Sequence, residues 1–514
     1  MNAMLEGTDT TGGRRSARWS ASVAATLLLC ACQQLPYRAA PLAAVPAWDA
    51  QSAAASSADF WAAVEDRWWL QLQDPAVDSL VATALADSPD LAQALARIDA
   101  AQAAVGGARA MGNANVAGNA SITRGSSQVS SNSSSTEVAS VGTLGVSFNW
   151  ELDLFGRIRA GREAAQLRLD ARNADAQSTQ VAFVAQVVGR VVDWRACDFA
   201  LRIREREVSS REATEALIRR RVTVGMAAAA DAARAASDKA IARTDAITQA
   251  QGCRLDVSAL VALTGLQADL VRAQLSAPPR FGATACTLTG ELPGKPCASP
   301  EGFDVDVVIP EVPAVQLALP AMVLASHPSV VAAQREAAAA WSDIGSARAS
   351  RYPRLNLGAL LTGQWLRVGG QAFNFSTWAV GPGVAGAIVD GGAAESQIEG
   401  AEARYRESAA KVVSVVRASA RDIENALDAD HSAQARAEPT QQALLAALQS
   451  LRITEVQWRN GATTLLALEQ ARRQYGRAQS NAILAAKDRA QAWVSLVRAT
   501  CNQGLLSLRT DPEN

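Results

Sequence analysis

From Leu144 to Leu154 the apolar residues Leu144, Val146, Phe148, Trp150, Leu152 and Leu154 alternate with Gly145, Ser147, Asn149, Glu151 and Asp153. A period of two marks a strand whose two faces meet different media. Phe155-Gly156-Arg157 ends the alternation, and no proline occurs from Gly156 to Gly265. A strand with one apolar face therefore runs straight into an exceptionally long helical stretch, a junction few architectures need. Within that stretch Val181, Val184, Val188 and Val191 keep 3,4,3 spacing, the seam of packed helices. Gly225 interrupts the pattern and alanine-rich helix resumes to Thr264, which predicts an antiparallel helical hairpin over 156–264. Its arms, about 60 and about 40 residues, would measure about 100 and about 60 Å at 1.5 Å per residue.

The plan then repeats. Val105-Gly106-Gly107-Ala108-Arg109-Ala110 matches Ile344-Gly345-Ser346-Ala347-Arg348-Ala349 at an offset of 239 (344 − 105), and Pro89 matches Pro328 at the same offset. Self-similarity at a fixed spacing is the signature of a duplicated unit. The first repeat spans 61–265: a short helix from Trp61 to Leu72, a helix over 77–111 broken at Asp87-Ser88-Pro89, strands at 114–124 and 141–154, and the hairpin. Gly125 to Ser140, dominated by Ser, Asn, Gly and Thr, reads as a solvated extracellular loop. Residues 266–313 read as an irregular equatorial segment rich in Gly and Pro. The second repeat spans 314–505, with strands at 354–365 and 375–389 and a hairpin over 391–500, followed by a tail at 506–514. There Asp390-Gly391-Gly392 takes the place of Phe155-Gly156-Arg157, and Gly461 that of Gly225. Val413, Val416, Ala420, Ile423 and Leu427 form the second seam, and Pro439 is expected to interrupt and kink its arm.

Four strands per chain set the assembly. A membrane barrel needs at least about eight strands, and an open sheet edge has no backbone partner in lipid. The chain must pool strands with its own copies, and three copies give a barrel of twelve. The expected fold is therefore mostly α with transmembrane β: a homotrimer whose 12-stranded β-barrel is continuous with a periplasmic α-helical barrel.

Net charge is −1, which offers no electrostatic case for nucleic acid. Only two histidines, His327 and His431, are available for metal or triad chemistry, and no catalytic, cofactor or metal site is predicted. At the N-terminus Arg14, Arg15 and Arg18 precede an apolar run from Ala21 to Leu29, then Cys30-Ala31-Cys32. This pattern is a secretory leader over 1–31, too short to span a bilayer, which takes about 20 residues. Leu29-Cys30-Ala31-Cys32 resembles a bacterial lipobox, which implies acyl chains on Cys32 and a lipid-anchored Ala/Pro/Ser-rich tether over 32–60. The alternative is an ordinary leader with two incidental cysteines. Five further cysteines then remain in an oxidising compartment. Cys286 and Cys297 share one loop, and Cys197 and Cys253 each lie 28 residues from Gly225 (225 − 197; 253 − 225), at equal height on a hairpin. Both pairs are expected to bridge; for Cys197 and Cys253 buried free thiols are the alternative.

Trp150-Glu151-Leu152-Asp153-Leu154-Phe155-Gly156-Arg157-Ile158-Arg159 resembles the signature of the TolC-like outer-membrane factors, the exit ducts of bacterial efflux pumps. More narrowly it is similar to the lipoprotein (NodT/OprM-like) branch serving resistance-nodulation-division pumps. The resemblance covers nearly all of the mature chain. It implies a trimeric outer-membrane channel exporting small molecules or drugs, performing no chemistry, with a periplasmic adaptor protein and an inner-membrane resistance-nodulation-division transporter as partners. It also implies that the hairpin turns dock the adaptor, a role carried to Arg221, Gly225, Trp458 and Gly461. Glycine there permits the tight reversal as well. Asp231 and Glu469 are candidates for a periplasmic gate made of rings of charge, and Leu468-Glu469-Gln470-Ala471-Arg472 is similar to a Leu-Asp-Ala-Gln-Arg-like stretch of the family. It has Glu for Asp and is one residue short; solvated helix carboxylates are the alternative. Two other readings stand beside the efflux duct. A type I secretion duct usually lacks the lipobox, and a periplasmic coiled-coil scaffold has no need of alternating strands. Trp61, Trp68 and Trp69 read as packing residues.

Overall fold

The computed structural model describes residue 37 and residues 67–128, 136–277, 309, 312, 320–368 and 370–500. The leader, Cys32, most of the tether, Trp61, Cys286, Cys297, Cys501 and the tail lie outside the described residues. A 3-10 turn (Trp68–Leu72) leads into α1 (Pro75–Ala86) and α2 (Pro89–Ala110). Strands β1 (Asn115–Gln128) and β2 (Thr136–Leu152) follow, then helices α3 (Arg157–Thr223), α4 (Ala229–Thr264) and α5 (Ala268–Leu275). The second half supplies α6 (Pro320–Ser326), α7 (Pro328–Ala349), β3 (Arg354–Val368), β4 (Gln371–Ala385), α8 (Ala393–Arg459) and α9 (Leu465–Thr500). The duplication holds in length: α2 and α7 have 22 residues each, α3 and α8 have 67, α4 and α9 have 36.

The chain divides into two compact units, one built on Arg97–Arg172 and Ala332–Val412, the other on Asn173–Val331, Val413–Asn514 and the segment ending at Ala96. The first unit holds the four-stranded sheet, ordered β1-β2-β3-β4 and antiparallel throughout. The central pair, β2 with β3, joins the two repeats, and Val146 faces Leu361 across it. In the second unit Trp68, Trp69, Leu72, Val77 and Leu80 pack with Val184, Val187, Val188 and Val191 of α3, Leu260 of α4 and Trp493 of α9. Trp68 meets Trp493 edge-on with ring centroids 5.5 Å apart.

Several elements differ from the sequence reading. The stretch read as loop from Gly125 to Ser140 is in part strand: Gly125 pairs with Ala139, Ser126 with Val138, and the ladder continues to Gln128 with Thr136. Backbone hydrogen bonds extend a hairpin without any apolar side chain, so alternation marks only the part of a strand that meets lipid. β3 likewise runs on to Val368, and β4 occupies 371–385 in place of 375–389. β4 stops where Gly386 packs on Pro353 so closely that a Cβ would lie 2.9 Å from the proline Cα.

The segment after Leu266 is not irregular throughout, because α5 buries Val271 and Leu275, an i,i+4 pair, in the helical core. The described part of the helix expected over 61–72 is a single 3-10 turn. Pro439 does not interrupt α8, which runs through it. Of the expected second seam Val416, Ile423 and Leu427 are buried, whereas Val413 is 42% exposed and Ala420 half-buried; Val412, Ser419 and Ala426 are buried beside them.

Candidate functional site

The sheet register is free of bulges, so the side chains divide by parity into two faces. One face carries Val116, Ala120 and Ile122 of β1, Leu144, Val146, Phe148, Trp150 and Leu152 of β2, Leu355, Leu357, Ala359, Leu361 and Trp365 of β3, and Trp378, Val380 and Val384 of β4. Between the rows of Leu152 and Trp365 lie five two-residue steps, which at about 3.3 Å per residue and about 40° of tilt span about 25 Å. That is the height of the apolar band of an outer-membrane barrel. The other face carries Asn115, Asn119, Ser121, Ser147, Asn149, Thr143, Thr362 and Gln364. Ser121 and Thr143 share a hydroxyl–hydroxyl hydrogen bond of 2.6 Å there. Both outer strands, β1 and β4, have one edge without a partner among the described residues.

The residues of the signature each have a task at the strand-to-helix junction. Arg157 donates to both carboxylate oxygens of Glu151, at 3.0 and 2.9 Å through Nη2. Asp153 caps α3, accepting from the Ile158 N–H at 3.1 Å and the Arg159 N–H at 2.8 Å. Phe155 stacks on Tyr352 of the other repeat with centroids 4.7 Å apart. Gly156 takes φ +77°, open to glycine at little cost. Trp150 Nε1 donates to the Gly112 carbonyl at 3.0 Å, fixing the inner end of β2. In the second repeat Asp390 does the capping alone, accepting from Gly392 N–H at 3.0 Å and Ala394 N–H at 2.8 Å. These donors, the Ala394 amide first, hold its carboxyl below the usual range.

The two hairpin turns have one geometry. Met226 N–H reaches the Arg221 carbonyl at 2.7 Å and Gly225 N–H the Val222 carbonyl at 3.0 Å. Ala462 N–H reaches the Gln457 carbonyl at 2.7 Å and Gly461 N–H the Trp458 carbonyl at 3.0 Å. This is the Schellman closure of a helix, with φ +74° at Gly225 and +72° at Gly461. No atom lies within 4 Å of a Cβ built on either glycine, so only backbone conformation demands it. Arg221 is exposed, as are Val224 and Met226 at the first turn and Val456, Trp458 and Leu466 at the second.

Of the two acidic residues, Asp231 is solvated, as the alternative reading has it, and Glu469 is buried. Asp231 is exposed and serves α4, its carboxylate accepting the Ala228 N–H at 3.3 Å. Glu469 is 4% exposed. Its carboxylate accepts from Arg472 at 3.2 Å, lies 3.9 Å from Arg211 of α3, and is 3.5 Å from the Ser210 hydroxyl. Arg211 and Glu455 extend the cluster to Asp238 of α4 and back to Arg472. These groups line a cavity of about 680 Å³ between the helices, with Tyr475 and Leu451 as apolar wall. Burial pushes the Tyr475 phenol up. Arg211 and Ser210 escaped sequence reasoning because their link to Glu469 spans more than half of the chain. Cys197 and Cys253 form a disulfide with Cα atoms 5.5 Å apart, joining α3 to α4.

The model of the outer membrane efflux protein family matches residues 80–266 and 319–502, the two repeats. Nodulation protein T of Rhizobium leguminosarum bv. trifolii is 26% identical over 92% of this chain and 94% of its own. The toluene efflux pump outer membrane protein TtgC of Pseudomonas putida is 28% identical over 88% of each. Among solved structures, the outer-membrane channel OprN superposes with a TM-score of 0.72 at 23% identity, covering 92% of this chain and 99% of that one. The sheet, the paired long helices and the match across both repeats agree: this chain belongs to the outer membrane efflux protein family.

Proposed function

We propose that three copies of this chain form the exit duct of a tripartite efflux pump in the outer membrane of a Gram-negative bacterium, anchored by acyl chains on Cys32. One observation carries the reading: a four-stranded sheet with one apolar face about 25 Å tall and both edges open. In lipid such edges must pair, and β1 of one copy is the antiparallel partner for β4 of the next. The apolar face of the sheet is the surface that suits a bilayer; among the described residues no helix is long and apolar enough to cross a membrane. The helical hairpins extend into the periplasm. Their apolar turns around Arg221, Gly225, Trp458 and Gly461 meet a periplasmic adaptor, and the inner-membrane partner is a resistance-nodulation-division transporter. The relatives' names attach them to processes as unlike as toluene efflux and nodulation, which supports small-molecule cargo chosen elsewhere in the pump. The duct supplies a path and no chemistry.

Glu469 is the gate candidate with a physical handle. Its contacts with Arg211 and Ser210 tie α9 to α3, and removing its carboxylate should loosen that tie. Asp231, a helix cap, has the weaker claim. The test is planar-bilayer conductance of the purified trimer with Glu469→Ala and Asp231→Ala. A small conductance that rises in Glu469→Ala supports the duct and its gate. Unchanged conductance in both variants removes the gate assignment, and a chain that never forms a heat-sensitive trimer refutes the pooled barrel.

A further inference from the structure

We propose that the outer end of the barrel carries an apolar collar, formed by Phe373 and Phe375 with Leu366 and Val141 in each copy, that screens by size and polarity what passes. The inference rests on the trimeric pore proposed above. Register places these side chains. Odd-numbered residues of β4 share a face with even-numbered residues of β3 and odd-numbered residues of β2 and β1. Phe375 therefore stands in one row with Gln364, Thr143 and Ser121, and Phe373 in the next row outward with Leu366, Val141 and Thr123. This is the polar face, the one that lines water in a barrel.

Inward of the collar that face is mostly small or hydrophilic, with Leu360, in the row of Ala379 and Ser147, as its large apolar side chain. It carries Thr377, then Ala379, Gly381 and Gly383 on β4, beside Thr362, Asn119, Ser147 and Asn149. At the collar the polarity of the sheet inverts. Outward of the Trp365 row the face that is apolar through the bilayer turns to Arg124, Ser140 and Arg367, while the luminal face turns apolar in the row of Phe373, Leu366 and Val141. Headgroups and water explain the charged outer side. Nothing about lipid asks for two phenylalanines, 47% and 46% exposed, on the watered side.

Two consequences follow from shape and charge. Twelve strands about 4.8 Å apart and tilted about 40° enclose a ring about 24 Å across between backbones. Phenylalanines reaching in from three points of the wall, 120° apart, take up part of that width, so the collar narrows the exit. Among the described side chains the luminal face carries no charge from Asn149 outward. The collar therefore suits small uncharged molecules with apolar or aromatic surface, which shed water against it cheaply, and resists bulky hydrated solutes entering from outside.

The test uses intact cells and the full-length chain. Thr377→Cys lies one row inward of Phe375 on the luminal face, and Trp378→Cys lies on the lipid face. Each is labelled from outside with membrane-impermeant sulfonated maleimides, one small and one bearing a bulky fluorophore, and each variant is checked for the trimer band. With the collar intact the small reagent reacts at Thr377→Cys and the bulky one reacts slowly. Adding Phe373→Ser and Phe375→Ser speeds the bulky reagent several-fold and leaves the small one nearly unchanged. Equal bulky labelling with and without the phenylalanines overturns the collar. Labelling at Trp378→Cys in place of Thr377→Cys means the faces are exchanged, which overturns the pore reading itself.

Discussion

Removing the guanidinium of Arg195 tests how the helical unit is held together. The side chain is 4% exposed and its partner Asp74 is 0% exposed. Arg195 donates to Asp74 at 3.1 and 2.9 Å, to the Leu275 carbonyl at 2.9 Å and to the Ala277 carbonyl at 2.7 Å. Asp74 also accepts the Ala76 N–H at 2.9 Å, capping α1. One cation thus joins α3 to the start of α1 and to the end of α5. Arg195→Ala leaves a buried carboxylate without its counter-charge, a change that costs about 3–5 kcal/mol. That is a large share of a typical stability of about 5–15 kcal/mol.

Replacing both partners, Asp74→Leu with Arg195→Met, removes the stranded charge. Apolar exchange of a buried pair is neutral or stabilising by about 1–4 kcal/mol, set against about 1 kcal/mol for the lost cap and two carbonyls left without donors. The double variant should therefore be more stable than Arg195→Ala, although it carries one more change. Helical circular dichroism against temperature, at fixed detergent and protein concentration, ranks the variants. A loss under about 1 kcal/mol for Arg195→Ala, the scale of a surface pair, would refute the argument. So would a double variant less stable than the single one.

Other outcomes can be checked in the same preparation. The disulfide closes a segment of 56 residues, and the chain-entropy relation assigns it about 4 kcal/mol, so Cys197→Ser with Cys253→Ser should lower the melting midpoint and leave trimers intact at low temperature. His327 accepts the Ser329 N–H on Nδ1 at 3.2 Å, so its Nε2 donates to the Ala499 carbonyl at 3.1 Å and the ring is held neutral. Burial lowers its folded pKa below the ordinary 6.5, so its contribution is present above that value and is lost as pH falls toward the folded pKa; His327→Asn should flatten the slope of stability between pH 7 and pH 5. Gly156→Ala places a side chain at φ +77° and 2.9 Å from the Arg159 guanidinium, costing about 1–2 kcal/mol, and should reduce the yield of the heat-sensitive trimer band. Asp153→Ala removes two N–H acceptors at the start of α3 and should cost about 1 kcal/mol in the same assay.

Period and spacing are local properties, so the amino-acid sequence by itself determined the alternating strands, the long helices, their reversal at Gly225 and Gly461, and the duplication. It also put Cys197 and Cys253 at one height, because equal distance from a turn is a matter of counting. Backbone pairing beyond the lipid left no trace in the pattern, which is why the ends of β1, β2 and β4 had to be read from the ladder. Only the tertiary structure decided that β2 pairs with β3 across the repeats. It alone gave Glu469 the partners Ser210 and Arg211, more than 250 residues away in the chain. It alone decided that Phe373 and Phe375 share a face with Thr143 and Gln364. A single strand shows two alternating sets of residues, and the face each set meets depends on register with neighbours far along the chain.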